Sequence, residues 1–204
     1  MHRPDAVMVN TLVRQALIAA QEVIGENGLN TILRTSGLEQ FIGNFPPDNL
    51  EPAIQAAEYA RFNQAIEAFY GRGGRGILRR IGKASFQYAL REQATLLGIA
   101  GVALKLLPER ARIKFILNSM ANALKKTNPQ VEAWVEDGEH LAYIEATCAI
   151  CHSRQSETPI CHLYTGSISE AVEWATGHAY EVRETHCMAC GDEYCRFEVG
   201  EEIA

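Results

Sequence analysis

All six cysteines of this 204-residue chain fall between Cys148 and Cys195. A chain of this length buries a core without covalent staples. The first thirty residues carry charges throughout and lack the apolar core of an export signal. Without export, clustered cysteines more often bind metal or perform redox chemistry than form structural disulfides. The segment that carries them must therefore fold so that scattered thiols converge, and a cytoplasmic location is expected.

Before that segment the pattern is helical. Val7, Leu12, Ala16, Ala19, Ala20 and Val23 recur at helical spacing, with Gly28 as a C-cap. A shorter helix is expected over 29–40, a loop over 44–49, and helices over 53–70, 77–107 and 108–126, the second of these three broken near Gly98 or Gly101. The glycine-rich stretch 71–76 follows a helix rather than a strand and lacks a Lys-Ser/Thr ending, so it reads as a turn rather than a phosphate loop. The longest apolar run, 95–107, contains Lys105 and is too short to span a bilayer.

At Val131 the character changes. Val131, Ala133 and Val135 alternate with other residues, Asp137-Gly138 is a hairpin signal, and Leu141, Tyr143 and Ile144 lie in the return strand. A cysteine-bearing loop follows, then a helix opened by Thr158-Pro159 and running to about Gly177. A second hairpin turns around Gly191-Asp192. The expected class is α+β: a helical N-terminal part packed on a four-stranded antiparallel sheet, with hairpin, helix and hairpin at the C-terminal end. Residues 1–50 read as a helical extension that could serve dimerisation, and 51–204 as the main domain.

Structural zinc takes four ligands from thiolate, imidazole and carboxylate. Cys161 in the first turn of a helix, Glu184 and Cys187 at the end of one strand, and Cys195 at the start of the next form one such set. The odd spacing of Glu184 and Cys187 points them to opposite faces of a regular strand, so a bulge or an early strand end is required. The rival set is Cys148, Cys151, Cys187 and Cys190, two short-spaced pairs. Because Cys187 is in both, the two cannot both be complete. Some of these thiols could instead be buried and inert, and Cys148 and Cys151 could form a labile redox pair. His152, His162 and His186 are nearby substitutes.

The run from Glu184-Thr-His-Cys187 through Gly191-Asp192 to Cys195-Arg-Phe197 resembles the C-terminal signature of the 4-vinyl-reductase domain family. Cys161-His-Leu-Tyr-Thr-Gly166 and the stretch Ile77-Leu78-Arg79-Arg80-Ile-Gly82 are similar to the same family. The resemblance covers roughly residues 65–200. It implies the ligand-binding fold of NO signalling and Golgi transport, and a structural zinc on Cys161, Glu184, Cys187 and Cys195. It leaves Cys148, Cys151 and Cys190 unassigned. It also implies a small, mostly apolar or aromatic ligand held between helices and sheet. Trp134, Phe86, Tyr88, Phe115 and Tyr143 offer aromatic surface there.

No Ser-His-Asp set or cofactor motif is found, and an all-protein zinc shell leaves no position for a catalytic water. The net charge of -6 argues against a direct nucleic-acid binder. The expected function is a ligand-binding or sensory domain, a homodimer that passes its signal to a protein partner. A tetrapyrrole vinyl reductase or its accessory, and a cysteine-based redox sensor, are the alternatives.

Overall fold

The computed structural model describes residues 7–97, 104–128 and 130–203. The expected breaks at Gly98 or Gly101, and Pro129, lie outside them. A short strand β1 (Val7–Val9) leads into the long helix α1 (Asn10–Ser36), and β1 pairs antiparallel with β2 (Pro52–Gln55). Neither strand is marked by the sequence pattern. The helix does not stop at Gly28. It kinks at Gly25, whose φ of 74° is open to glycine, and continues to a left-handed cap at Gly37.

Helix α2 (Ala56–Tyr70) starts with a capping box, the Gln55 N–H donating to Glu58 Oε2 at 2.8 Å. A turn at Gly71–Gly73 then leads into α3 (Gly74–Glu92) and the short α4 (Ala94–Leu97). Helix α5 (Glu109–Thr127) follows, with Pro108 as its N-cap residue.

The sheet is built from β3 (Ala133–Asp137), β4 (Leu141–Glu145), β5 (Tyr180–His186) and β6 (Cys195–Glu202), with α6 (His162–Thr176) between the hairpins. All neighbours are antiparallel and the order is β3-β4-β6-β5. The α+β architecture expected from the pattern is therefore present. Alternation puts Ala133, Tyr143, Phe197, Val199 and Val182 in the core. Tyr164 of α6 packs against Tyr143 and Phe197, with ring centroids 6.2 Å and 5.8 Å apart. This contact sets α6 on the sheet.

On α1, Val13, Ala16, Leu17, Ala19 and Ala20 are buried in the same core as α2, α3 and the sheet. The apolar face that the sequence offered to a second copy is thus covered within this chain. Among the described residues, no helix is long and apolar enough to cross a membrane.

Candidate metal centre and ligand pocket

Helix α6 begins at Cys161, not at Thr158-Pro159, and Cys161 has no side-chain cap of its own. Its N–H donates instead to Glu184 Oε2 of β5 at 2.7 Å. A carboxylate from the sheet thus takes the capping role expected of Thr158, which is why the helix starts later. The other oxygen, Glu184 Oε1, is buried with no hydrogen-bond partner. Burial, followed by the neighbouring Cys187, pushes the Glu184 carboxyl up to about 9. A cation at Oε1 would satisfy the orphaned oxygen and hold the group ionised.

The bulge required between Glu184 and Cys187 is present: the register of β5 against β6 shifts between Glu184 and His186. After it the chain tightens into a turn. The Cys187 N–H donates to Asp192 Oδ2 at 2.7 Å, the Met188 N–H points to Cys195 Sγ at 3.4 Å, and Gly191 closes the turn with φ 98°. Cys161, Glu184, Cys187 and Cys195 come together, their donor atoms all within 4.8 Å of one another. A second group meets the same measure: Cys148, Cys151, Cys161 and Cys195.

The sulfur spacings bear on what such a cluster can do. Cys161 Sγ lies 3.8 Å from Cys195 Sγ, 3.9 Å from Cys187 Sγ and 3.5 Å from Cys148 Sγ. Cys151 Sγ lies 3.4 Å from Cys195 Sγ. Zinc–sulfur bonds of about 2.3 Å in a tetrahedron place sulfurs about 3.8 Å apart. The thiols are thus spaced like donors around a common ion. Burial keeps the Cys161 thiol protonated well above its usual range, and hydrogen bonding to Cys148 and Cys151 does the same for Cys195. Metal binding here must displace protons.

The rival set is not gathered. Cys190 sits exposed at the end of the 3-10 turn Met188–Cys190 and belongs to neither group, because the turn that buries Cys187 directs Cys190 outward. Cys148 and Cys151 instead join Cys161 and Cys195. None of His152, His162 and His186 enters either group. His162 is buried, and that burial, with Arg79, Arg75 and Arg154 nearby, pulls it down to about 4.

A pocket of about 130 Å³ opens between α1, α2, α3, α5, α6 and the sheet. Phe86 and Tyr143 line it, together with Tyr59, Leu163 and Tyr164. Trp134, Tyr88 and Phe115 do not. Trp134 does lie on the face of β3 opposite Ala133, but that face looks to solvent, and its ring packs edge-on against Tyr194. Tyr88 is exposed and donates to Glu22 at 2.9 Å. Phe115 packs on a smaller cluster around Phe86 and Ile116.

Three polar residues of this region escaped the sequence reading. Gln15 Nε2 and Ser85 Oγ are buried without a partner, and both residues line the pocket. Glu145 follows Leu141 and Tyr143 at period two, so alternation alone would have placed it inward. It is 2% exposed, and burial pushes its carboxyl up to about 8.

Comparison with known proteins bears directly on the C-terminal signature. Residues 141–201 match the vinyl-4-reductase (V-4-R) domain. The 4-vinyl-reductase resemblance is borne out over this stretch. The matched segment carries β4, the cysteine loop, α6, β5 and β6, and so all six cysteines. A protein of Methanocaldococcus jannaschii described as uncharacterized is 35% identical over 68 residues, 32% of this chain and 30% of that protein. The match thus spans less than a third of that relative's length.

The fold extends further than the domain match. An oxygen-binding H-NOX domain related to soluble guanylate cyclases superposes with a TM-score of 0.62 at 15% identity, covering 94% of this chain and 93% of that one. The Fe(II) unliganded H-NOX protein of K. algicida gives 0.60 at 15% identity, covering 97% of both chains. A third structure, from work on heme redox potential and porphyrin distortion, gives 0.61 at 15% identity over 94% and 98%. At these identities the likeness establishes the fold alone.

Proposed function

We propose that this chain is a sensory or ligand-binding domain whose pocket takes a single-ring, mostly apolar molecule, with a structural zinc ion held by Cys161, Glu184, Cys187 and Cys195. The pocket carries the reading. Its volume of about 130 Å³ is close to that of an engineered apolar cavity, about 150 Å³, that holds benzene. The unpartnered Gln15 Nε2 and Ser85 Oγ in its wall suit one polar substituent on the ring.

Heme, which the fold neighbours bring to mind, does not fit. Among the described residues lining the pocket there is no His, Cys, Lys or Arg to hold iron or propionates. The only sulfur donors are the Met8 and Met120 thioethers, and burial raises the Tyr143 and Tyr164 hydroxyls so that they remain phenols. The volume also falls well below the roughly 300 Å³ at which pockets for larger ligands begin, so a tetrapyrrole substrate is disfavoured with it.

Native against denaturing mass spectrometry of freshly purified protein tests the reading. The expected native excess is zinc, with or without an adduct of single-ring mass. A metal-free chain with its cysteines oxidised in pairs would replace the zinc reading by the redox one. The signal would pass to a protein partner. Self-association would need a surface other than the covered apolar face of α1.

A further inference from the structure

We infer that the cysteine cluster is a binuclear centre: two zinc ions bridged by the thiolates of Cys161 and Cys195. The inference rests on the metal reading above and deepens it by assigning Cys148 and Cys151, which the four-ligand site leaves over. The donors form two groups of four, and the groups share Cys161 and Cys195 and nothing else. Cys148 and Cys151 complete one group, and Glu184 and Cys187 the other. Two tetrahedra with a common edge have this composition, the edge being the 3.8 Å separation of Cys161 Sγ and Cys195 Sγ.

The terminal donors reach the shared edge at bonding-shell distances. Cys148 Sγ is 3.5 Å from the Cys161 sulfur and Cys151 Sγ is 3.4 Å from the Cys195 sulfur. On the other side, Cys187 Sγ is 3.9 Å from Cys161 Sγ, and Glu184 brings its orphaned Oε1. All five of these cysteines are buried, whereas Cys190 is exposed and takes no part.

Charge balance agrees. Three thiolates and a carboxylate around one divalent ion leave two negative charges. Five thiolates and a carboxylate around two divalent ions also leave two, since the second ion adds two positive charges and Cys148 and Cys151 add two negative ones. The second ion therefore adds no net charge to the buried site, and it converts two packed thiols into ligands. Thiolate-rich tetrahedral donors suit zinc rather than the harder divalent ions.

The test is metal stoichiometry of the full chain, purified under reductant, saturated with Zn2+ and freed of loose metal by dialysis. Two zinc ions per chain are expected by elemental analysis and native mass spectrometry. The Cys148→Ser/Cys151→Ser pair is expected to retain one, and so is Glu184→Gln/Cys187→Ser. Cobalt substitution adds a second readout: thiolate-to-cobalt absorbance per chain falls about twofold in the Cys148→Ser/Cys151→Ser protein. One zinc per wild-type chain would overturn the binuclear centre and leave the single structural site standing. None would overturn both. The wild-type count decides the matter even if a variant fails to fold.

Discussion

Gly82 on α3 and Gly166 on α6 are where the backbones of these two helices touch. A Cβ at Gly82 would lie 1.9 Å from the Leu163 carbonyl oxygen, and one at Gly166 would lie 2.0 Å from that of Arg79. Both obstacles are backbone and neither can swing aside. Both glycines stand in the sequence runs that resemble the 4-vinyl-reductase family, and the contact supplies a physical reason for them. It seats α6, and with it Cys161, against the rest of the helical layer.

Either Gly82→Ala or Gly166→Ala is expected to cost about 3 kcal/mol or more, because the helices must separate to admit the methyl group. Gly76→Ala is the control. It lies in α3, a methyl group there would meet nothing within 4 Å, and its φ is not positive. A gain of about 0.5–1 kcal/mol is therefore expected from helix propensity. Urea denaturation of the three variants against wild type makes the comparison.

The cysteines should separate into two classes. Cys195→Ser is expected to lose metal and to melt at a lower temperature, since Cys195 is in both donor groups. Cys190→Ser should keep its zinc content and its melting temperature. Trp134 gives an optical readout, because its ring meets Tyr194 at 5.9 Å beside Cys195. Chelation should change the tryptophan emission of wild type and of Cys190→Ser, and not that of Cys195→Ser.

Arg154 ties the cysteine loop to α2 through its ion pair with Glu67, and its side chain is only 10% exposed. Arg154→Ala leaves the half-buried Glu67 carboxylate without its partner and is expected to cost about 3 kcal/mol. It also frees the loop that carries Cys148 and Cys151. Zinc transfer to a competing chelator should then run faster than in wild type, measured by a colorimetric zinc indicator. An unchanged rate would mean the loop is held by other contacts.

Glu145 sets a pH dependence. Its carboxyl rises from 4.5 to about 8 in the folded protein, chiefly through burial. Between these values the folded state keeps a proton that the unfolded state has lost. Stability therefore falls as pH rises through this window. Glu145→Gln removes the ionisable group, so it should gain on wild type by a few kcal/mol at pH 8 and by much less at pH 5. Denaturation of metal-loaded protein at the two pH values measures the difference.

What the sequence made legible follows from periodicity. The two hairpins and α6 alternate or repeat cleanly, and they bring Cys161, Glu184, Cys187 and Cys195 together once the bulge in β5 is allowed. The loop with Cys148 and Cys151 has no period. Its place is set by tertiary contacts such as Arg154 with Glu67, and the Ser156 N–H donating to the Ala189 carbonyl at 2.9 Å. No local pattern reveals that these thiols turn towards Cys161 and Cys195. Trp134 was misplaced for a related reason: alternation fixes which side chains share a face, but not which face the helices cover. Gln15 was passed over because a lone polar residue on an apolar helix gives no signal until its lack of a partner is seen.

The most direct test of the pocket as the ligand site is calorimetric titration of the metal-loaded protein with phenol and with toluene, in wild type, Gln15→Leu and Ala123→Phe. Wild type should bind one phenol per pocket, about tenfold more tightly than toluene, in keeping with one added hydrogen bond. Gln15→Leu should erase that preference, and Ala123→Phe, which fills the pocket from α5, should abolish binding of both while leaving the zinc content unchanged. No saturable binding of either ring to wild type, or binding that Ala123→Phe does not affect, would contradict the pocket as the ligand site.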